Sequence, residues 1–271
     1  MVRPAGGGNR PHRDDGKGYR AVHPVILAVL IGAAALGVYE FTMLGIRVNR
    51  GKEIAQASRP FELRNPAATH RILVVGDSTG VGTGAARPEE SVAGRIAAEF
   101  PGVEIVNLSR NGAKLRDTLG QLESVAGPRF DIVLVQAGGN DILGFTDLGE
   151  LRNLTRQVLL SAREKGNAVF FISTGNVGLA PAFFPPVSWI LTQRTREART
   201  IFLEASRELG VQYVDLFREK GNELFLGDPD RYYTPDYLHP SSEGYRVWYE
   251  ELKRQTGIVE ILGKGGGETG R

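Results

Sequence analysis

Asp236 and His239 stand three residues apart in the run Tyr233-Thr-Pro-Asp-Tyr-Leu-His-Pro240. Within one turn, that spacing lets a carboxylate accept from one imidazole N–H and leave the other ring nitrogen basic. The chain holds only four histidines, His12, His23, His70 and His239. The first two lie in and at the end of an N-terminal arm and His70 immediately precedes the first strand-like run, so His239 is the candidate general base. The chain has no cysteine, which excludes a thiol nucleophile, disulfides and cysteine-ligated metals together. The candidate nucleophile is Ser78, in Gly76-Asp-Ser-Thr-Gly80. Each segment also has a plainer reading. The first is an Asp–His surface turn before a helix, and in the second Asp77 or Ser78 caps the next helix.

Two other turns offer hydrogen-bond donors. Asn107-Leu-Ser-Arg-Asn-Gly112 ends in Asn-Gly, a common turn signal because both residues tolerate positive φ. A glycine there also presents a backbone N–H with no side chain in the way. Ala137-Gly-Gly-Asn-Asp141 places the amide of Asn140, which can donate to a developing oxyanion. Gly76-x-Ser78-x-Gly80 formally matches a nucleophile elbow, but the elbow follows several strands and keeps its acid and histidine apart in sequence. Gly80-x-Gly82-x-Gly84 has neither the dinucleotide spacing nor a Gly-Lys-Ser/Thr, so no nucleotide site is expected.

The elements that must position these residues alternate. Arg71–Val75, Val103–Leu108, Phe130–Gln136, Ala168–Ser173 and Val211–Val214 are short, near-continuous apolar runs, as parallel strands buried on both faces require. Helical stripes lie between and after them: Val92, Ile96 and Phe100; Leu151, Leu154 and Val158; Ala198, Ile201, Phe202, Ala205 and Leu209; Tyr245, Trp248, Tyr249 and Leu252. Strands alternating with helices predict βαβ units and a parallel sheet covered on both faces. Ligands then bind beyond the carboxyl ends of the strands, where Ser78, Gly112 and Asn140 fall.

Gly-Asp-Ser after the first strand, glycine after the second, Gly-x-Asn-Asp after the third and Asp-x-x-His before the last helix occur in that order. Together they resemble the SGNH (GDSL-type) hydrolase family from about residue 70 to residue 255. The resemblance implies a three-layer α/β/α fold on a flavodoxin-like parallel sheet and a serine carboxylic-ester hydrolase. It implies Ser78 as nucleophile, His239 as base and Asp236 as the acid orienting it. The backbone N–H groups of Ser78 and Gly112 and the Asn140 side chain would form the oxyanion hole. The family block often reads Gly-Asp-Ser-Leu; Thr79 departs from it, which weakens any subfamily or substrate assignment. The family's substrates include short acyl esters, lysophospholipids, thioesters and acetylated sugars. An O-acyltransferase on the same site and a catalytically inactive, membrane-tethered binding module are the alternatives.

The rest of the chain bounds the setting. Residues 1–22 read as a disordered basic arm and 23–46 as a transmembrane signal anchor or cleaved signal peptide, apolar on every face and so unlike an amphipathic core helix. Residues 47–69 read as a linker, 70–258 as the hydrolase domain and 259–271 as a flexible tail. The arm's excess of Lys and Arg predicts an N-in single-pass protein of a bacterial-type inner membrane with its domain periplasmic, or secreted after cleavage. The aromatic and proline-rich stretch Gly178–Leu191 could line an acyl pocket or dip toward the membrane, or could pack Phe183 and Trp189 into the core. A net charge of +2, with no basic helix or stripe, argues against nucleic acid. No organic cofactor and no metal is expected.

Overall fold

The computed structural model describes Met1 and residues 17–263. The chain forms two compact units, Met1–Gly45 and Ile46–Arg271. Helix α1 (Lys17–Ala57) runs through the boundary. In the first unit its Val25, Leu27, Ile31, Leu36 and Phe41 are all exposed. From Pro24 onward this helix is long and apolar enough to cross a membrane. It starts at Lys17, inside the segment the sequence predicts to be an arm; the arm's residues 2–16 lie outside the described residues.

The segment read as a linker from residue 47 is helical as far as Ala57. No proline interrupts it before Pro60, and Gly51, Ile54 and Ala55 are partly buried in the second unit. Beyond it, Leu63 makes an antiparallel bridge to Ile105.

Five strands form the sheet: β1 (His70–Gly76), β2 (Val103–Asn107), β3 (Phe130–Gln136), β4 (Gly166–Ile172) and β5 (Gln212–Val214). All pairings are parallel and the order is β2-β1-β3-β4-β5. The strands are where the apolar runs predict them. Their two-residue period sends Leu73, Val75, Val133 and Val135 into one core and Ile72, Val74, Ile132 and Leu134 into the other.

The first core is closed by α4 (Leu115–Glu123), α6 (Leu148–Lys165) and α7 (Val187–Glu208). The second is closed by α3 (Val92–Glu99), α9 (Ser242–Gln255) and α10 (Ile258–Leu262). Short helices α2 (Ser78–Val81), α5 (Gly139–Leu143) and α8 (Pro229–Tyr232) sit in the loops after β1, β3 and β5. The chain does not leave the fold after Ile258, where the sequence predicts a tail from residue 259; residues 264–271 of that tail lie outside the described residues. Ile258 and Leu262, one helical turn apart, are both buried, so α10 belongs to the core.

In the order 2-1-3-4-5 the crossovers reverse direction between β1 and β3. The loops after those strands therefore diverge to opposite faces and open a crevice at the carboxyl edge. That is where the motif residues sit.

Candidate active site

Gly76 ends β1 at φ +141°, and a Cβ there would lie 1.8 Å from the carbonyl oxygen of Gln136, so only glycine fits. Gln121 on α4 grips this residue on both sides: the Gly76 N–H donates to Gln121 Oε1 at 2.7 Å, and Gln121 Nε2 donates to the Gly76 carbonyl at 3.0 Å. The chain then turns at Asp77, the N-cap of α2, and delivers Ser78 as its first residue. Ser78 is 9% exposed.

His239 Nε2 lies 3.0 Å from Ser78 Oγ, and its Nδ1 lies 2.6 Å from Asp236 Oδ2. Asp236 Oδ1 accepts from Thr234 Oγ1 at 2.7 Å, Leu238 N–H at 2.9 Å and His239 N–H at 3.0 Å. The carboxylate thus folds the turn that carries the imidazole and also holds the ring, with Tyr237 at φ +56° between them. Burial works to raise the Asp236 carboxyl, but the His239, Thr234 and Leu238 hydrogen bonds outweigh it and hold the group below the ordinary carboxylate value.

The approach of this turn to the serine loop depends on Gly84. At φ +102°, a Cβ there would come 2.4 Å from the Pro240 carbonyl oxygen and 2.7 Å from Thr234 Cγ2. Tyr245 on α9 fastens the same loop by donating to the Thr83 carbonyl at 2.8 Å.

Gly112 and Asn140 share this edge. Gly112 is at φ +77°, with open space where a Cβ would point. Its loop is tied to β1 through Arg110 N–H and the Gly76 carbonyl, and to the serine loop through Thr83 Oγ1 and Asn111 Oδ1, 2.6 Å apart. Asn140 donates one amide hydrogen to the Ala113 carbonyl at 3.0 Å, leaving the second N–H of that nitrogen. Among the described residues, neither the Ser78 nor the Gly112 N–H has a hydrogen-bond partner.

Thr79, the departure from Gly-Asp-Ser-Leu, braces the residue before the nucleophile, since its N–H and hydroxyl both donate to Asp77 Oδ1 at 2.8 Å. Burial raises the Asp77 carboxyl to about 6; the Thr79 bonds and His239 oppose the shift and Asp141 adds to it. A folded-state value above the unfolded one means that the native state keeps a proton the unfolded chain releases. This contribution to stability is full below about pH 4 and is lost as the pH rises through 6. A difference of that size corresponds to about 3 kcal/mol. Asp77→Asn removes the dependence. Urea denaturation from pH 4 to pH 7 should show wild type losing about 2 kcal/mol relative to the variant.

The Gly178–Leu191 stretch divides. Phe183 packs against the core, whereas Trp189, in the first turn of α7, is 69% exposed. Among the described residues no group of three or more His, Asp or Glu side chains is placed to hold a metal ion.

The C-terminal part of α1 also reaches this edge. A Cβ on Gly51 would lie 3.0 Å from Asp236 Oδ2. Asn111, next to Gly112, donates to the Ala55 carbonyl at 2.8 Å, and Arg50 donates to the Pro235 carbonyl. Arg47 donates to the Ala182 carbonyl and covers the Tyr237 ring. Sequence reasoning missed Gln121, Gly84 and this helical segment. None carries a local signal beyond residue type.

A doubly wound parallel sheet with serine, imidazole and carboxylate in hydrogen-bonded series at its carboxyl edge is the framework of a hydrolase. The chain belongs to the GDSL-like Lipase/Acylhydrolase family, whose profile matches residues 74–247. Solved structures of similar fold include a member of the lipolytic protein G-D-S-L family from Veillonella parvula, with 17% identity and a TM-score of 0.54, covering 69% of this chain and 98% of that one. An extracellular lipase from Streptomyces rimosus has 19% identity and a TM-score of 0.55 over 69% of this chain and 100% of its own. The protein TesA has 20% identity and a TM-score of 0.54 over 71% and 99%. No curated protein matches the sequence.

Proposed function

We propose that this GDSL-family hydrolase is a serine carboxylic-ester hydrolase working through an acyl-enzyme on Ser78. The observation that carries the reading is the unbroken series Ser78 Oγ, His239 and Asp236, at 3.0 and 2.6 Å. With Asp236 accepting from Nδ1–H, the free lone pair of Nε2 faces the serine hydroxyl. Ser78 Oγ attacks the ester carbonyl carbon as its proton passes to Nε2. The carbonyl π electrons move to oxygen, and the Ser78 N–H, the Gly112 N–H and the second Asn140 amide hydrogen receive that charge. Collapse expels the alcohol, which takes the proton from His239. Water, activated by the same nitrogen, then releases the acid and restores the serine.

Asn140→Ala should lower kcat by ~100-fold or more while leaving the melting temperature little changed, because the group serves the transition state. Near-native kcat in this variant would remove Asn140 from the mechanism. The apolar part of α1 anchors the domain to a membrane in this reading, supported by its length and by the solvent exposure of its apolar side chains.

The direct test combines hydrolysis of p-nitrophenyl acetate, butyrate and palmitate with labelling by a fluorophosphonate, which modifies activated serines. Turnover together with a label on Ser78 is the expected result. A folded chain that neither hydrolyses any of the three nor takes the label overturns the proposal.

A further inference from the structure

Outside α1, the exposed large apolar side chains are unevenly distributed. Phe145, Val187, Trp189, Ile190 and Leu224 all lie in loops or first helical turns at the carboxyl edge of the sheet, whereas in the second unit only Leu160 and Val259 lie elsewhere among the described residues. Single exposed apolar residues are ordinary, but their gathering at one edge is not. Arg194 of α7 donates to the Thr146 carbonyl and so holds the Phe145 loop against the start of the helix that carries Trp189 and Ile190.

The chain enters the second unit at this same edge. The apolar run ends at Ile46, and Gly51, which packs on Asp236, follows five residues later on the same helix. At 1.5 Å per residue that is about 7.5 Å of helix. The point where apolar sequence gives way to charge therefore lies beside the triad carboxylate. Exposed cations flank it: Arg50 and Lys52 on the helix, and Arg110 on the loop of Gly112. A basic collar next to exposed tryptophan and aliphatic side chains suits the headgroup region of a bilayer with anionic lipid.

We propose that the carboxyl-edge face bearing Trp189 and Ile190 seats on the lipid bilayer that takes up the apolar helix. Ser78 then meets acyl esters held in the membrane in preference to esters free in solution. The substrate half of this proposal rests on the esterase reading above; the docking half does not. The occupant is a lipid surface and not a second copy, because the residues that follow the apolar run directly in sequence, Arg47 to Ala55, are themselves packed at this edge.

The chain contains two tryptophans, and the other, Trp248, is 7% exposed in the core. The full chain, reconstituted into phosphatidylcholine–phosphatidylglycerol vesicles, is compared with and without lipid brominated in the upper acyl chain. Bromine quenches only indoles it touches, so emission should drop in brominated vesicles and the drop should vanish in Trp189→Phe. Equal emission in both vesicles overturns the docking. So does a blue shift without bromine quenching, which would mean that a second copy covers Trp189.

A second arm uses the double variant Trp189→Glu with Ile190→Glu, at two exposed positions where the fold bears little cost. Its hydrolysis of a long-chain ester dissolved in the vesicles should fall ~10-fold or more, the effect of withdrawing large apolar side chains from lipid. Its hydrolysis of p-nitrophenyl acetate should be unchanged. An equal fall on both esters overturns the preference for membrane-held substrate. Quenching by bromolipid in a chain that hydrolyses no ester would instead overturn the reading of Ser78 and leave the docking standing.

Discussion

Ser78→Ala should abolish ester hydrolysis, with kcat falling by ~10⁴-fold or more, while the protein keeps its cooperative unfolding transition. In the proposed mechanism this hydroxyl forms the covalent bond, since His239 faces it and Asp236 is engaged behind the ring. Where nucleophile and base act as one unit, removing either typically loses nearly the whole effect, with a remnant left by the oxyanion donors. Ser78→Ala and His239→Ala should therefore be far from additive, the double variant being about as slow as either single one. Steady-state hydrolysis of p-nitrophenyl butyrate by the three variants is the measurement. Additive losses would mean that serine and imidazole do not act together. The fold should tolerate the change, because Ser78 Oγ has no hydrogen-bond partner other than His239 among the described residues.

Asp236→Asn is the more instructive substitution. Wild-type Asp236 Oδ1 accepts three hydrogen bonds that shape the turn, from Thr234 Oγ1, Leu238 N–H and His239 N–H. An asparagine carbonyl oxygen can accept the same three, so the turn survives. The amide nitrogen then replaces Oδ2 opposite His239 Nδ1, and it can only donate. The imidazole must answer with a bare Nδ1, which places its one ring hydrogen on Nε2, toward Ser78. The base is lost through the choice of tautomer, and kcat should fall by ~10⁴-fold with little change in melting temperature. A variant retaining a tenth of wild-type kcat would show that Asp236 shapes the loop without setting the tautomer.

Both variants act on residues that the sequence exposes readily, and the reason is physical. Asp236 and His239 are three apart, so their hydrogen bond needs only one turn of chain. Ser78, Gly112 and Asn140 each follow the end of an apolar run, and parallel-sheet topology sends every such end to the same edge. The strands themselves are apolar on both faces because both faces are covered, so their runs are conspicuous. Boundaries are less legible where the deciding contact is made far away. Residues from Arg47 to Ala57 have a linker's composition but remain helical, because Gly51, Ile54 and Ala55 find a surface in the second unit. Residues 259–262 look like the start of a tail until the core that receives Leu262 is in place.

The amino-acid sequence by itself determined the order of the five strands, the sheet edge at which their motif loops gather, and the serine, imidazole and carboxylate that meet there. Short-range hydrogen bonding and hydrophobic periodicity act within a few residues, so they leave a trace in the linear pattern. Tertiary structure alone decided that Gln121 would grip Gly76, that Gly84 would have to be bare beneath Pro240, and that Gly51 would lie against Asp236. Those contacts join residues from 45 to 185 positions apart. They are fixed by how closely two packed surfaces approach, a quantity that no stretch of neighbouring residues encodes.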